Sequence, residues 1–130
     1  MKIILTPQES EQYFYNALCN GLDYVESGYG LDLLFSRKAY SDAKVSISKL
    51  DPNQQMSHED VLMQILKDGG TLNLYDMEAM EDNIITLADV HERVATTQTN
   101  HLFDMIEERD DATTADVIIQ TVFLKEIVFG

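Results

Sequence analysis

The stretch Ser57-His58-Glu59-Asp60-Val61-Leu62-Met63-Gln64-Ile65-Leu66-Lys67-Asp68-Gly69-Gly70-Thr71-Leu72-Asn73-Leu74-Tyr75-Asp76-Met77 changes period in its middle. Up to Lys67 the apolar residues Val61, Leu62, Ile65 and Leu66 recur at three- and four-residue spacing, the buried stripe of an amphipathic helix with Ser57 as its cap and Gly69-Gly70 as its terminator. From Thr71 the period drops to two. Leu72 and Leu74 alternate with Asn73 and Tyr75, as in a strand with one buried face. Helix followed directly by strand points to a mixed class, and the flanking segments extend that reading.

Downstream, a polar turn separates Thr71–Met77 from Asn83–Leu87, so the pair reads as a hairpin. Thr86 with Asp89 resembles a capping box for a short helix through Val94, and Ala95–Thr99 is a loop. In the next helix Leu102, Phe103, Met105 and Ile106 are expected inside, with Asp104, Glu107, Glu108 and Asp111 outside. Thr113 or Thr114 caps a last helix that is apolar nearly all round, centred on Ala115, Ile118, Ile119, Val122 and Phe123, and Ile127–Phe129 is extended.

Upstream, Thr6-Pro7-Gln8-Glu9 supplies cap, helical proline and reciprocal Glu, and Gly21 is the expected stop; Lys2–Leu5 reads as a short strand. Tyr13, Phe14, Ala17 and Leu18 form the stripe of that helix, and Gly28-Tyr29-Gly30 marks a turn. Leu31–Phe35 and Ala43–Leu50 read as strands, the second because Val45 and Ile47 alternate with Ser46 and Ser48. The whole, residues 1–130, is one acidic α+β domain: an antiparallel sheet of about three to five strands packed with about four to five helices.

Hydrophobic content of 45% and charged content of 25% match a folded chain rather than an acidic disordered tail. Cys19 is the only cysteine, which excludes an intrachain disulfide and a thiolate cluster; beside the first buried stripe it is expected to be a structural, buried thiol. The opening residues are too short an apolar run for a signal peptide, and no stretch reaches the length that crosses a bilayer, so a cytoplasmic location is the expectation.

Charge is lopsided. Residues 1–50 carry −1, whereas residues 51–130 hold seventeen acidic residues against Lys67, Arg93, Arg109 and Lys125 and carry −13. Phosphate contacts need clustered cations, so direct nucleic-acid binding is disfavoured and a basic protein partner is favoured. Two acidic clusters are the candidate partner-binding residues: Asp76, Glu78, Glu81 and Asp82 around Met77 and Met80, and Asp104, Glu107, Glu108, Asp110 and Asp111. Carboxylates beside adaptable methionines suit a partner that presents Arg or Lys near a shallow pocket.

No catalytic, cofactor or metal residues emerge. His58, His91 and His101 fall in separate elements without the one-turn spacing of a helical metal site, and Asp76–Asp82 lacks the glycine and terminal Glu of a calcium loop. Gly69-Gly70 follows a helix and precedes a strand, the reverse of a phosphate-binding loop.

Ala17-Leu18-Cys19-Asn20-Gly21 with Tyr24, then Asp68-Gly69-Gly70, and above all Asp110-Asp111-Ala112-Thr113-Thr114-Ala115-Asp116 leading through Gln120 to Glu126-Ile127-Val128-Phe129-Gly130, resemble a family of small phage and prophage proteins of unknown function. The family pattern is Ala-Leu-x-Gly-Gly-x-x-Tyr-Trp near the start, and Asp-Asp-Ala-x-Thr-Ala-Asp leading to Phe-Gly-Glu-Ile-Val-Tyr-Gly. This chain carries Asn20 for Gly, Val25 for Trp and Lys125 for Gly, and the likeness is strongest from Asp111 to Gly130. The resemblance implies a phage origin and no assigned activity.

Together, charge and resemblance imply a non-enzymatic inhibitor of a host defence or nucleic-acid-handling protein, its acidic surface standing where a phosphate backbone would lie. The alternative is a protein that sequesters a signalling nucleotide, which requires Arg37, Lys38, Lys44 or Lys49 to line a pocket with a tyrosine. Exposed strands and the Met-rich hairpin are compatible with a homodimer.

Overall fold

The computed structural model describes residues 3–130, arranged as α1 (Pro7–Tyr29), β1 (Leu31–Leu34), α2 (Arg37–Leu50), α3 (His58–Lys67), β2 (Leu72–Asp76), β3 (Ile84–Ile85), α4 (Leu87–Val94), α5 (Thr99–Ile106) and α6 (Ala112–Leu124). The chain is therefore α+β, with six helices and a three-stranded antiparallel sheet among the described residues. In the sheet, of order β1-β2-β3, Leu33 pairs with Leu74 and Leu72 with Ile85, so alternate leucines reach the core. Of the stretch expected as an N-terminal strand, Lys2 lies outside the described residues and Ile3–Leu5 forms no strand.

The helix caps follow local chemistry. Thr6 Oγ1 accepts from the Glu9 N–H (3.1 Å) while Glu9 Oε1 accepts from the Thr6 N–H (2.9 Å), and the same reciprocal box closes α3 at Ser57/Asp60 and α4 at Thr86/Asp89. Gly21 does not end α1. The helix continues for two more turns to Gly30, whose φ of 68° provides the left-handed stop. Gly21 serves packing instead: a Cβ there would lie 2.8 Å from the Ala115 Cβ, so its absence lets α1 and α6 approach. Farther along this antiparallel pair, the rings of Phe14 and Phe123 meet at 5.8 Å.

Ala43–Leu50 belongs to a helix, not a strand. Ser36 Oγ accepts from the Ala39 N–H (3.2 Å) and launches α2, which buries Ala43 and Ile47, one turn apart, and leaves Val45 exposed. The alternation of Val45 and Ile47 with serines is thus incidental to a narrow helical stripe packed on α3. Ser46 Oγ donates to the Asp42 carbonyl (3.1 Å), the back-bond of a helical serine.

α6 is enclosed on nearly every side, as its composition predicts, although its cap is Asp111 rather than Thr113 or Thr114: Asp111 Oδ1 accepts from the Thr114 N–H (3.0 Å). Its buried Gln120 uses all its amide hydrogen-bonding capacity. Nε2 donates to Asp116 Oδ1 (2.8 Å) and the Phe129 carbonyl (3.1 Å), and Oε1 accepts from the N–H groups of Val128 (2.8 Å) and Phe129 (2.9 Å). This holds the segment after α6 against the core, where Phe129 stacks on Tyr29 (5.0 Å) and the Tyr29 hydroxyl donates to Asp116 (2.6 Å). Lys125 ends α6 with φ of 69°, a left-handed conformation.

Candidate functional site

The hairpin between β2 and β3 carries the first acidic cluster. Asp76 is consumed by the turn: its backbone exchanges hydrogen bonds with Glu81 (2.9 and 3.2 Å), and its Oδ1 accepts from the N–H groups of Glu78 (3.1 Å) and Ala79 (3.0 Å). Asp82 accepts from Asn73 Nδ2 (2.9 Å) across the strands. The side chains of Glu78 and Glu81 make no hydrogen bond or ion pair among the described residues, and beside them Met77 and Met80 are exposed. Met80 holds φ at 57°, a left-handed conformation that orients the tip.

The α5–α6 connection carries the second cluster and divides in the same way. Asp104 lies 3.8 Å from Arg109, Asp110 accepts from Asn20 Nδ2 (3.3 Å), and Asp111 caps α6. Hydrogen bonds from the Thr114 and Thr113 N–H groups hold the Asp111 carboxyl below the ordinary carboxylate range. Glu107 and Glu108 make no side-chain hydrogen bond or ion pair among the described residues. Every aspartate of the two clusters is engaged within the fold, whereas among the described residues none of their glutamates has a side-chain partner.

Phe103 and Ile106, expected inside, are 39% and 40% exposed, because α5 turns only Leu102 and Met105 into the core. Each acidic cluster therefore surrounds large apolar side chains at the surface. The hairpin hangs from the end of α1, where the Met77 N–H reaches the Gly30 carbonyl (3.2 Å), while Asp110 meets α1 ten residues earlier. That places the two clusters' anchor points ~15 Å apart along the helix axis.

The other candidates lie elsewhere. His58 sits by Tyr40 (3.0 Å), His91 pairs with Glu11 (2.8 Å), and His101 lies 3.2 Å from Thr114 Oγ1, at three separate places. Cys19 is exposed rather than buried, since it falls off the inward stripe of α1; partial desolvation and the nearby Glu59 and Asp60 raise its pKa, which disfavours the nucleophilic thiolate. Arg37, Lys38, Lys44 and Lys49 lie along exposed positions of α2, with Lys38 paired to Asp42 (2.8 Å) and Lys44 over the Tyr40 ring (5.1 Å).

One cavity of about 530 Å³ opens between α1 and α3, with the end of α2 as its third wall, and none of those four cations lines it. Glu11, Tyr15, Asp60 and Lys67 do. The Asp60 carboxylate beside the Tyr15 hydroxyl pushes that phenol up to about 12. Burial opposes ionisation of Asp60, but hydrogen bonds from the Ser57 N–H and from Tyr15 outweigh it and lower its pKa.

Among the described residues no helix is long and apolar enough to cross a membrane. No protein-family model, curated protein or solved structure matches the chain.

Proposed function

We propose that this is a non-enzymatic cytoplasmic binding protein that occupies a basic surface on another protein. The observation that carries the reading is the pairing of free glutamates with exposed apolar side chains in both clusters: Glu78 and Glu81 with Met77 and Met80, Glu107 and Glu108 with Phe103 and Ile106. Carboxylates steer a basic partner over long range, and desolvated apolar contacts then hold it. A surface that mimicked only a phosphate backbone would have no use for Met80, 76% exposed at the hairpin tip. The partner is therefore a protein whose cations flank apolar pockets, as on surfaces that handle nucleic acid. Resemblance of Asp111–Gly130 to small phage proteins supports a host defence or nucleic-acid-handling factor as that partner. The nucleotide-sequestering alternative is less favoured, because none of its four cations lines the cavity.

Pull-down from a bacterial lysate, at low and at high salt, tests the proposal with a variant carrying Glu78→Gln, Glu81→Gln, Glu107→Gln and Glu108→Gln beside the parent. A basic protein should be retained by the parent, released as salt screens the charges, and missed by the variant. Equal retention by parent and variant would overturn it.

A further inference from the structure

The cavity between α1 and α3 has a layout separate from the acidic clusters. α1 and α3 run antiparallel here, so Glu11 faces Lys67 at one end (3.9 Å) and Tyr15 faces Asp60 at the other. Glu11 and Tyr15 are one helical turn apart, and Asp60 and Lys67 two turns apart. The carboxylates of Glu11 and Asp60 therefore stand roughly 6–10 Å apart along the slot, by helical rise. Ile47 and Met63, both nearly fully buried, add apolar side chains to the lining.

We infer that this slot is a binding site for a small organic diammonium ion, an alkyl chain with an amine at each end. Three features select that chemistry. The volume, about 530 Å³, falls within the range of small-ligand sites. The lining is rich in acceptors: two carboxylates on opposite helices and the amide oxygens of Gln12 and Gln64, each of which commits one amide N–H elsewhere, to Asn16 (2.9 Å) and Asp68 (2.8 Å). An ammonium group, which donates three hydrogens and accepts none, is their complement. The apolar lining of Ile47, Leu50 and Met63 is the third feature, since a bare metal ion would leave it uncovered and an anion would be repelled by both carboxylates.

Lys67 already shows how the Glu11 end is used. Its ammonium approaches Glu11 only loosely at 3.9 Å and remains half exposed, whereas His91 fixes the other carboxylate oxygen at 2.8 Å. A ligand amine competes with Lys67 for an acceptor that is already oriented. Asp60 at the other end is kept ionised by the cap of α3.

Isothermal titration of the full chain with putrescine, and with butylamine as a one-amine control, tests this. Putrescine should bind one to one, and butylamine should bind about tenfold more weakly, as expected for loss of one charge-assisted hydrogen bond. Glu11→Gln should weaken putrescine to a similar degree, while Lys67→Gln, which removes the competing cation, should tighten it. A misfolded variant cannot tighten binding, so the pair of opposite shifts is diagnostic. Neutralising Glu78, Glu81, Glu107 and Glu108 should leave putrescine affinity unchanged, which separates this site from the protein-binding clusters. Equal affinities for parent and Glu11→Gln, or for the two amines, or an equal loss in the four-glutamate variant, would reveal diffuse counterion association and overturn the site. A lysine-bearing peptide that filled the slot where putrescine did not would also overturn it.

Discussion

α6 and α2 are of nearly equal length, thirteen and fourteen residues, and stand in opposite relation to the core. α6 is covered on almost every face, so its polar side chains must find partners inside: Gln120 clamps the following segment, and Thr121 Oγ1 donates to the Val117 carbonyl (2.7 Å). α2 buries only Ala43 and Ile47, packs chiefly on α3, and leaves Val45 and Leu50 in solvent. Burial on all sides couples a helix to global unfolding, whereas attachment through one neighbour permits local opening. The molecule thus has a rigid axis, α1 against α6, and a peripheral basic helix.

The two helices should differ most at Phe123, on the buried side of α6. Phe123→Ala should cost ~3–5 kcal/mol, a large share of the stability of a small domain. A denaturant melt superimposable on the parent's would show that α6 is not the axis. Gly21→Val comes next, because the new side chain collides with Ala115; overpacking of this kind costs about 1–3 kcal/mol. Ala115→Gly in the same chain should recover part of that loss, and strict additivity of the two changes in a double-mutant cycle would remove the close approach as the explanation.

The peripheral helix should respond differently. Ser36→Ala removes the cap of α2 and should cost ~1 kcal/mol. Hydrogen exchange should locate the change, with faster exchange within Arg37–Leu50 and unchanged protection in α6. Loss of protection in both helices together would show that α2 is part of the axis after all. Lys125→Gly should act in the opposite direction and gain about 0.5–1 kcal/mol, because the left-handed conformation at φ of 69° burdens a side chain and not glycine. A lower melting temperature for that variant would show that the Lys125 side chain contributes more than its backbone strain removes.

Much of this architecture is legible in sequence, and the failures share a cause. Thr6, Ser57 and Thr86 announce their helices because a capping box is local chemistry, decided within four residues. The hairpin is legible because Leu72 and Leu74 alternate on one buried face. Gly21 misleads because a glycine that ends a helix and one that admits a neighbour look alike until α6 is in place. Ala43–Leu50 misleads because two apolar residues among serines satisfy a period of two, while the cap at Ser36 lies outside the repeating pattern. Of the candidate sites, the acidic clusters show in the charge count, but the division between engaged aspartates and free glutamates depends on distant partners such as Asn20 and Asn73. The slot left only a faint signal: Glu11 and Tyr15 on α1, and Asp60, Gln64 and Lys67 on α3, are polar residues at helical spacing, and their convergence is tertiary.

That division among carboxylates yields the smallest expected effect. Glu78, Glu81, Glu107 and Glu108 make no internal side-chain bond or ion pair among the described residues, so changing all four to Gln removes no contact. Their negative charges meanwhile repel one another in a chain of net −14. Stability should therefore stay within ~0.5 kcal/mol of the parent, with any drift upward, as for surface substitutions that touch nothing. Adding Asp111→Ala to that variant should lower the melting temperature at once, because the Thr113 and Thr114 N–H groups at the start of α6 then lose their acceptor. If instead the four-glutamate variant melts well below the parent and Asp111→Ala adds nothing, the glutamates are structural and the aspartate is the free group. The surface assigned to a partner would then have to be redrawn around Asp111.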